Sequence, residues 1–131
     1  MFLMLGVAHA ATVTVTVEGV QPDTGVVGCS LFRAAEGFPE DERSAVSLQV
    51  AKPENGVAVC TFAGVEDGTV AVAVIHDLDG DLKLDRTWFG KPTEGYGFSN
   101  GAVATAFSAP KFEAAAVRVA GDQALRVALV Y

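Results

Sequence analysis

The strict alternation of valine and threonine near the amino terminus constrains the fold of this chain more than any other feature. Residues 12–17 read TVTVTV. In an extended strand successive side chains point to opposite faces, so Val13, Val15 and Val17 share one face and the threonines share the other. Valine and threonine both favour the pleated backbone over a helix. The segment is therefore predicted to be a half-buried β-strand.

Short apolar segments separated by turn-forming residues recur along the rest of the chain. The 131 residues include 14 glycines and 5 prolines, which supply the turns. Further strands are predicted at residues 26–33, 46–50, 57–63, 69–76, 112–119 and 124–131. We expect the first two strands of the chain to pair as a hairpin and the loop at residues 34–44 to contain no helix, with Phe38 as its anchor. A one-turn helix at residues 113–116 is the alternative to a strand there, because alanine favours helix.

The succession of about seven short strands predicts an all-β protein. Strands at this spacing, with no convincing helix, are typical of two antiparallel sheets packed face to face. The predicted fold class is a Greek-key sandwich of the immunoglobulin-like or prealbumin-like type. No linker divides the chain, so residues 11–131 are predicted to form a single domain.

The first ten residues, MFLMLGVAHA, are typical of the end of a signal peptide. The apolar run ends in a small-x-small pattern, which predicts cleavage before Ala11 and a periplasmic or secreted protein. Residues 1–10 form only a partial signal peptide, because a basic start and a longer apolar stretch are missing. An ordinary first strand or a cloning remnant is the alternative. No other segment has the apolar length that a membrane span requires.

The formal net charge of -7 limits the partners that we expect. Such a charge repels phosphate backbones and anionic lipid headgroups, so nucleic-acid binding is not predicted. The partner is expected to be a small molecule, a glycan or a peptide.

The chain contains two cysteines, Cys29 and Cys60. An even number of cysteines in an exported chain predicts a disulfide, and two cysteines allow one pairing. Each cysteine shares a strand face with apolar residues, so both sulfur atoms are able to point inward. The alternative is a pair of buried free thiols, which would apply to a chain that is not exported.

The segment HDLDGDLKLD carries the strongest chemical signal. Four aspartates occupy positions 1, 3, 5 and 9 of a short loop: Asp77, Asp79, Asp81 and Asp85. Calcium accepts six to eight oxygen ligands in flexible geometry, so these carboxylates and a backbone carbonyl near Lys83 are predicted to bind it. Related calcium loops have glycine at position 6, where this chain has Leu82. The alternative is a solvated acidic hairpin whose aspartates cap turns.

The following segment, RTWFGKPTEGYGFSNGA, concentrates the aromatic residues of the chain. Aromatic rings on a loop are able to stack on sugars or to receive a peptide, and neighbouring polar groups supply hydrogen bonds. The candidate ligand-binding residues are Trp88, Glu94, Tyr96, Phe98 and Asn100. The alternative is that the aromatic residues anchor a long loop to the end of the sandwich.

The residues suited to catalysis are few. His76 follows an apolar strand beside Asp77, where a structural imidazole is expected more often than a catalytic base. A small hydrolase that uses His76, Asp77 or Ser99 is a third possibility, but the chain has no G-x-S-x-G elbow. The sequence therefore predicts a noncatalytic protein.

Several blocks of the sequence are similar to one known family. The motifs HDLDGDLKLD, FGKPTEGYGFSN and PKFEAAAV, together with GVVGCSLF and the later Gly37 and Phe38, resemble the DUF2141 family of uncharacterised secreted bacterial proteins. The resemblance extends from about residue 12 to residue 131. It implies a β-sandwich fold and export, and it implies no activity. Members often carry Asn and Gly within the acidic loop, so Leu82 is a departure from the family pattern.

Together these features predict an exported, noncatalytic β-sandwich module with a calcium-binding loop. The alternative is a carbohydrate- or peptide-binding domain that uses Trp88, Tyr96 and Phe98.

Overall fold

The computed structural model describes residues 10–78, 95–105 and 108–131. Within these ranges the chain forms eight β-strands, one turn of α-helix and two short 3-10 helices. The strands are β1 (Ala10–Glu18), β2 (Val26–Phe32), β3 (Ser47–Ala51), β4 (Val57–Glu66), β5 (Gly68–Asp77), β6 (Tyr96–Phe98), β7 (Val117–Val119) and β8 (Gln123–Ala128). The helical turns are the 3-10 helices Glu42–Ser44 and Ser99–Gly101 and the α-helix α1 (Phe112–Ala115).

The strands form two sheets that pack against each other, which confirms the predicted all-β sandwich. A three-stranded sheet has the order β4-β1-β8, and a five-stranded sheet has the order β3-β2-β5-β6, with β7 paired to the start of β5. Strands β1 and β8 are parallel, whereas the other pairs are antiparallel. The sandwich is therefore antiparallel except at this one pair of strands among the residues described.

The predicted hairpin between the first two strands is wrong. Strand β1 pairs with β4 and β8, whereas β2 pairs with β3 and β5 in the opposite sheet. The connection at residues 19–25 is long enough to cross the roughly 10 Å between packed sheets. The amide of Val20, which is buried, donates to the carbonyl of Gly56 at 3.0 Å, so this connection runs beside the β3–β4 turn.

Two helical turns differ from the predicted secondary structure. The loop at residues 34–44 was expected to contain no helix, but Glu42–Ser44 is a 3-10 turn, because the Asp41 carboxylate accepts the Arg43 amide at its start. At the other position the alternative is confirmed: α1 is the one-turn helix, and the strand begins only at β7. Its last residue, Ala115, is fully buried and fixes this turn against the sheet.

Valines from both sheets fill the space between them. The predicted inward face of β1, with Val13 and Val15, is fully buried, and so are Val72 and Val74 on β5. A disulfide joins Cys29 on β2 to Cys60 on β4, which confirms the predicted pairing. Because these strands belong to different sheets, the disulfide links the two layers through the core.

A second apolar cluster covers the outer face of the five-stranded sheet. It contains Phe32 and Phe98, against which Phe38 and Phe112 pack. The rings of Phe32 and Phe38 meet edge to face at 5.1 Å, and those of Phe38 and Phe112 meet at 5.9 Å. The loop that contains Phe38 and the α1 turn therefore form a partial third layer, with Phe38 as the expected anchor.

We predict that removal of the disulfide lowers the free energy of unfolding by about 3–4 kcal/mol, because the bond restricts the unfolded chain. The variant Cys29→Ala/Cys60→Ala tests this by urea unfolding, and wild-type protein under reducing conditions is its control. Titration of exported, denatured and nonreduced protein should find no free thiol. Two reactive thiols, or unchanged stability in the double variant, would contradict the prediction.

Candidate functional site

Most of the predicted metal and ligand residues lie outside the residues that the structure describes. These are Asp79, Asp81, Lys83, Asp85, Trp88 and Glu94. The described chain includes Asp77, Tyr96, Phe98 and Asn100. Within residues 10–78, 95–105 and 108–131, no three potential metal ligands of the His, Cys, Asp and Glu types cluster together.

Asp77 is the last residue of β5 and the first residue of the acidic segment. It is 3% exposed and pairs in register with Val26 on β2. Gly25, with a φ of +72°, lies so close that a side chain there would collide with the Asp77 carbonyl. The strand therefore delivers a buried carboxylate to the point where the acidic segment begins.

His76 lies at the centre of a directional hydrogen-bond network. Its Nε2 is 2.7 Å from the Thr24 carbonyl oxygen, which only accepts, so Nε2 carries the proton. In the neutral ring Nδ1 then accepts from the Tyr131 hydroxyl at 2.8 Å. That hydroxyl in turn accepts the Gln21 amide at 2.8 Å. Both ring nitrogens of this fully buried histidine therefore have structural partners.

The same network holds the position at which the chain returns to the sheet. The His76 amide donates to the Gly95 carbonyl at 2.8 Å. The Tyr131 ring covers Gly95 so closely that a Cβ on this glycine would lie 2.6 Å from Cζ of the ring. Leu78 and Gly95, which border the segment at residues 79–94, are thus held near one corner of the five-stranded sheet.

Ser99 is also structural. Its hydroxyl is fully buried, accepts the Val72 amide at 2.9 Å and donates to the Ala115 carbonyl at 2.6 Å. Because the hydroxyl proton is directed at Ala115 and the ring nitrogens of His76 bond elsewhere, these two residues do not form a nucleophile-base pair. Ser99 instead ties β5 to α1.

The predicted ligand residues Phe98 and Asn100 have structural contacts. Phe98 is 3% exposed within the outer apolar cluster, so its ring offers no open face for stacking. Asn100 has a left-handed backbone, with φ 57°, and its side-chain amide Nδ2 donates to the Ala114 carbonyl at 3.1 Å. The partly buried Tyr96 packs beside Phe98, with the ring centres 5.9 Å apart.

A groove of about 410 Å³ lies between β6 and β8. One wall is formed by Tyr96, Phe98 and residues 101–104, and the other by Arg126, Ala128 and Val130. The walls are mainly apolar, and Val103 and Val130 are 69% and 50% exposed. An ion pair of 3.3 Å between Arg126 and Glu18 forms the polar part of the lining.

The groove opens where β6 separates from β8. Tyr96 and Val130 exchange two backbone hydrogen bonds, of 3.0 and 2.9 Å. At Gly97 the strands remain so close that a Cβ would lie 2.6 Å from Val127, so only glycine fits. Beyond Phe98 the chain turns away into the 3-10 helix Ser99–Gly101, and this divergence leaves the space.

Sequence reasoning found one side of this groove and missed the other. Tyr96 and Phe98 were selected as aromatic residues, but Arg126, Ala128 and Val130 were not. The alternation near the end of the chain does place these three side chains on one face of a strand. It does not indicate that this strand lies beside β6.

We predict that Tyr131→Phe lowers the free energy of unfolding by about 1–3 kcal/mol, because it leaves buried Nδ1 of His76 without a donor. Partial burial raises the pKa of Tyr131 above its ordinary value near 10, against the opposing Gln21 hydrogen bond. A raised folded-state pKa stabilises the protein below the unfolded-state pKa and ceases to do so as the pH rises through the folded-state pKa.

The difference in stability between wild type and Tyr131→Phe should therefore be complete at neutral pH and should shrink above about pH 10. Denaturant unfolding at several pH values measures it. The variant Tyr131→Leu, which also removes the ring over Gly95, should be less stable than Tyr131→Phe. A difference that grows with alkaline pH would contradict this account.

No described helix is both long enough and apolar enough to cross a membrane.

Comparison with known proteins identifies the family of the chain. A search of the curated proteins and a search of the solved structures each find no match. A family model, described as an uncharacterised protein conserved in bacteria, matches residues 15–127 and confirms the resemblance. The chain therefore belongs to the DUF2141 family.

Proposed function

We propose that this protein is an exported, noncatalytic binding module that holds a peptide or another small apolar ligand in the groove between β6 and β8. The observation that carries the proposal is the groove itself, an apolar concavity of about 410 Å³. This volume falls in the range of about 300–1,000 Å³ that is usual for ligand sites. The walls belong to β6, to β8 with Val130, and to the 3-10 turn with the irregular residues 102–104 that follow it.

The lining favours an apolar ligand. Val103 and Val130 expose large fractions of their side chains, and a ligand between them removes that surface from water. A hollow beside residues 40–43 has a larger volume, about 480 Å³, but the side chains that line it are all charged. The groove is therefore the better binding site of the two.

Within the predicted ligand classes, the geometry favours a peptide over a glycan. Sugar recognition by stacking needs an open aromatic face. Phe98 is buried and Tyr96 is partly buried, whereas the aliphatic surface of Val103 and Val130 suits peptide side chains. The ion pair of Glu18 and Arg126 adds a polar contact at the same site.

The contacts of the candidate catalytic residues support a noncatalytic role. His76 and Ser99 are fully buried and their polar atoms bond to structural partners. The Cys29–Cys60 disulfide fits an exported protein, because such bonds persist in oxidising compartments.

We predict that the neutral dye N-phenyl-1-naphthylamine binds the groove with saturable fluorescence. Ala128→Trp should weaken this binding by at least about tenfold, because the indole fills the groove. Ala124→Trp is the matched control, since Ala124 is an equally outward position on β8 that does not line the groove. Absence of saturable binding, or an equal effect of both variants, would refute the proposed site.

We also propose that the acidic segment binds calcium. The observation in its favour is that β5 ends in the buried carboxylate of Asp77, next to the alternating aspartates. The hydrogen bond of 2.8 Å from His76 to Gly95 holds the exit of the segment close to its entry. A cation bound by several of these carboxylates would neutralise their mutual repulsion.

Calcium is expected to raise the melting temperature, and a hundredfold excess over the Kd corresponds to about 2.7 kcal/mol of added stability. Asp79→Asn/Asp81→Asn should abolish both this shift and the heat of binding in isothermal titration. Glu36→Gln/Glu113→Gln removes the same charge from exposed positions outside the acidic segment and serves as the control. A melting temperature that is the same in calcium and in chelator would eliminate the metal proposal.

A further inference from the structure

The direction of the backbone groups along β8 can be derived from two of its contacts. The Leu129 amide donates to the Glu18 carbonyl at 3.0 Å, so the backbone N–H and C=O groups of Leu129 point toward β1. Successive residues of a strand direct their N–H and C=O groups to opposite edges. The backbone groups of Val130 accordingly point away from β1 and form hydrogen bonds with the backbone of Tyr96. By the same alternation, Ala124, Arg126 and Ala128 direct their backbone groups away from β1.

This outer edge of β8 has no partner strand among the residues that the structure describes. Apart from the two hydrogen bonds between Val130 and Tyr96, no backbone group in the described parts of the chain bonds to this edge. At Ala128 the carbonyl is covered by Gly97, where a Cβ would lie 2.8 Å from the oxygen. Among the described residues, the unpaired part of the edge therefore includes Ala124 and Arg126, and Arg126 lines the groove.

The open edge and the groove together favour an extended polypeptide as the ligand. An unpaired strand edge presents alternating donors and acceptors, which another extended backbone satisfies more completely than a compact small molecule does. The groove beside the edge supplies apolar surface for alternate side chains of such a strand. Both features are required for strand addition, and here they occur at the same site.

Charge complementarity defines the ligand further. The side chain of Arg126 is 79% exposed and carries the positive charge in the groove lining. Its partner Glu18 lies on β1, on the side away from the open edge. A carboxylate on the added strand, opposite Arg126, would contact the guanidinium from the other side. Charges of opposite sign that lie directly opposite each other on neighbouring strands stabilise the pairing.

We propose that the ligand of this groove is an extended peptide segment that adds to the free edge of β8 as an antiparallel strand. Its apolar side chains occupy the groove, and one acidic residue lies opposite Arg126. The antiparallel direction continues that of β6, which already pairs with Val130 in this sense. This inference rests on the proposed function, since it specifies how the groove takes its ligand.

The probe is an acetylated and amidated octapeptide with valine at alternate positions and one central glutamate. Two isomers carry N-methyl groups on alternate backbone nitrogens, each isomer blocking one edge of the strand. We expect one isomer to lose binding by at least about tenfold and the other to bind like the parent, because only one edge faces β8. Saturating parent peptide should slow hydrogen exchange of the Arg126 amide.

Two variants at one position separate the backbone contribution from the charge. Arg126→Gln keeps the outward amide and should weaken the glutamate peptide but not its glutamine analogue. Arg126→Pro removes that amide without affecting a bond to β1, and should bind the peptide at least about tenfold more weakly than Arg126→Gln. Thermal unfolding checks that both variants fold, and the N-methyl isomers provide the test if the proline variant does not.

The outcomes separate this inference from the proposed function. Equal binding of both N-methyl isomers, with dye binding retained, would mean that the groove takes apolar groups without strand pairing, and would overturn the inference alone. Failure of both dye and peptide would overturn the proposed function as well. A dimer of the free protein with a protected Arg126 amide would mean that a second copy occupies the edge, and would also overturn the inference.

Discussion

The register in which β1 pairs with its two neighbours determines where every other feature of the molecule lies. Val15 lies opposite Cys60 on one side and Leu125 on the other, so these three residues face the same way. A slip of one residue would turn the valines outward and the threonines inward. Burial of the valine face therefore fixes both pairings, and with them the direction of each residue on β8. The outward position of Arg126 in the groove follows from that register.

The two sides of the sandwich are closed by different means, which explains why one of them has an open edge. On one side the turn between β3 and β4 is closed by Glu54 and Val57, with hydrogen bonds of 2.8 and 3.1 Å. Edge strands joined by so tight a turn lie side by side at that end. On the other side, the backbone hydrogen bonds that the described residues of β6 form with the end of the chain are those between Tyr96 and Val130. The part of the β8 edge from Arg126 to Ala128 borders the groove.

Period-two alternation predicted most strands of the sandwich and the inward direction of both cysteines, because these depend on local geometry and on burial of one face. It did not predict β6, which lies in a segment without clear periodicity. The pairing of β1 with β2 was predicted wrongly, since closeness in sequence does not reveal that residues 19–25 cross between sheets. The groove was only half predicted. It depends on the close contact of Gly97 with β8. The two segments are distant in the sequence, and the local pattern of neither segment indicates that they meet.

The fate of the aromatic residues shows why composition alone misleads about function in a small β-protein. A thin sandwich buries few large side chains between its layers, so Phe98 joins Phe32 and Phe38 to cover the outer face of the larger sheet. Phe98, which was predicted to contact a ligand, thus stabilises the fold. The groove combines the edge of this aromatic cluster, at Tyr96 and Phe98, with small and aliphatic residues such as Val103, Ala128 and Val130. In the proposed strand addition, recognition depends on backbone groups and on Arg126, which give weak composition signals but have a definite geometry.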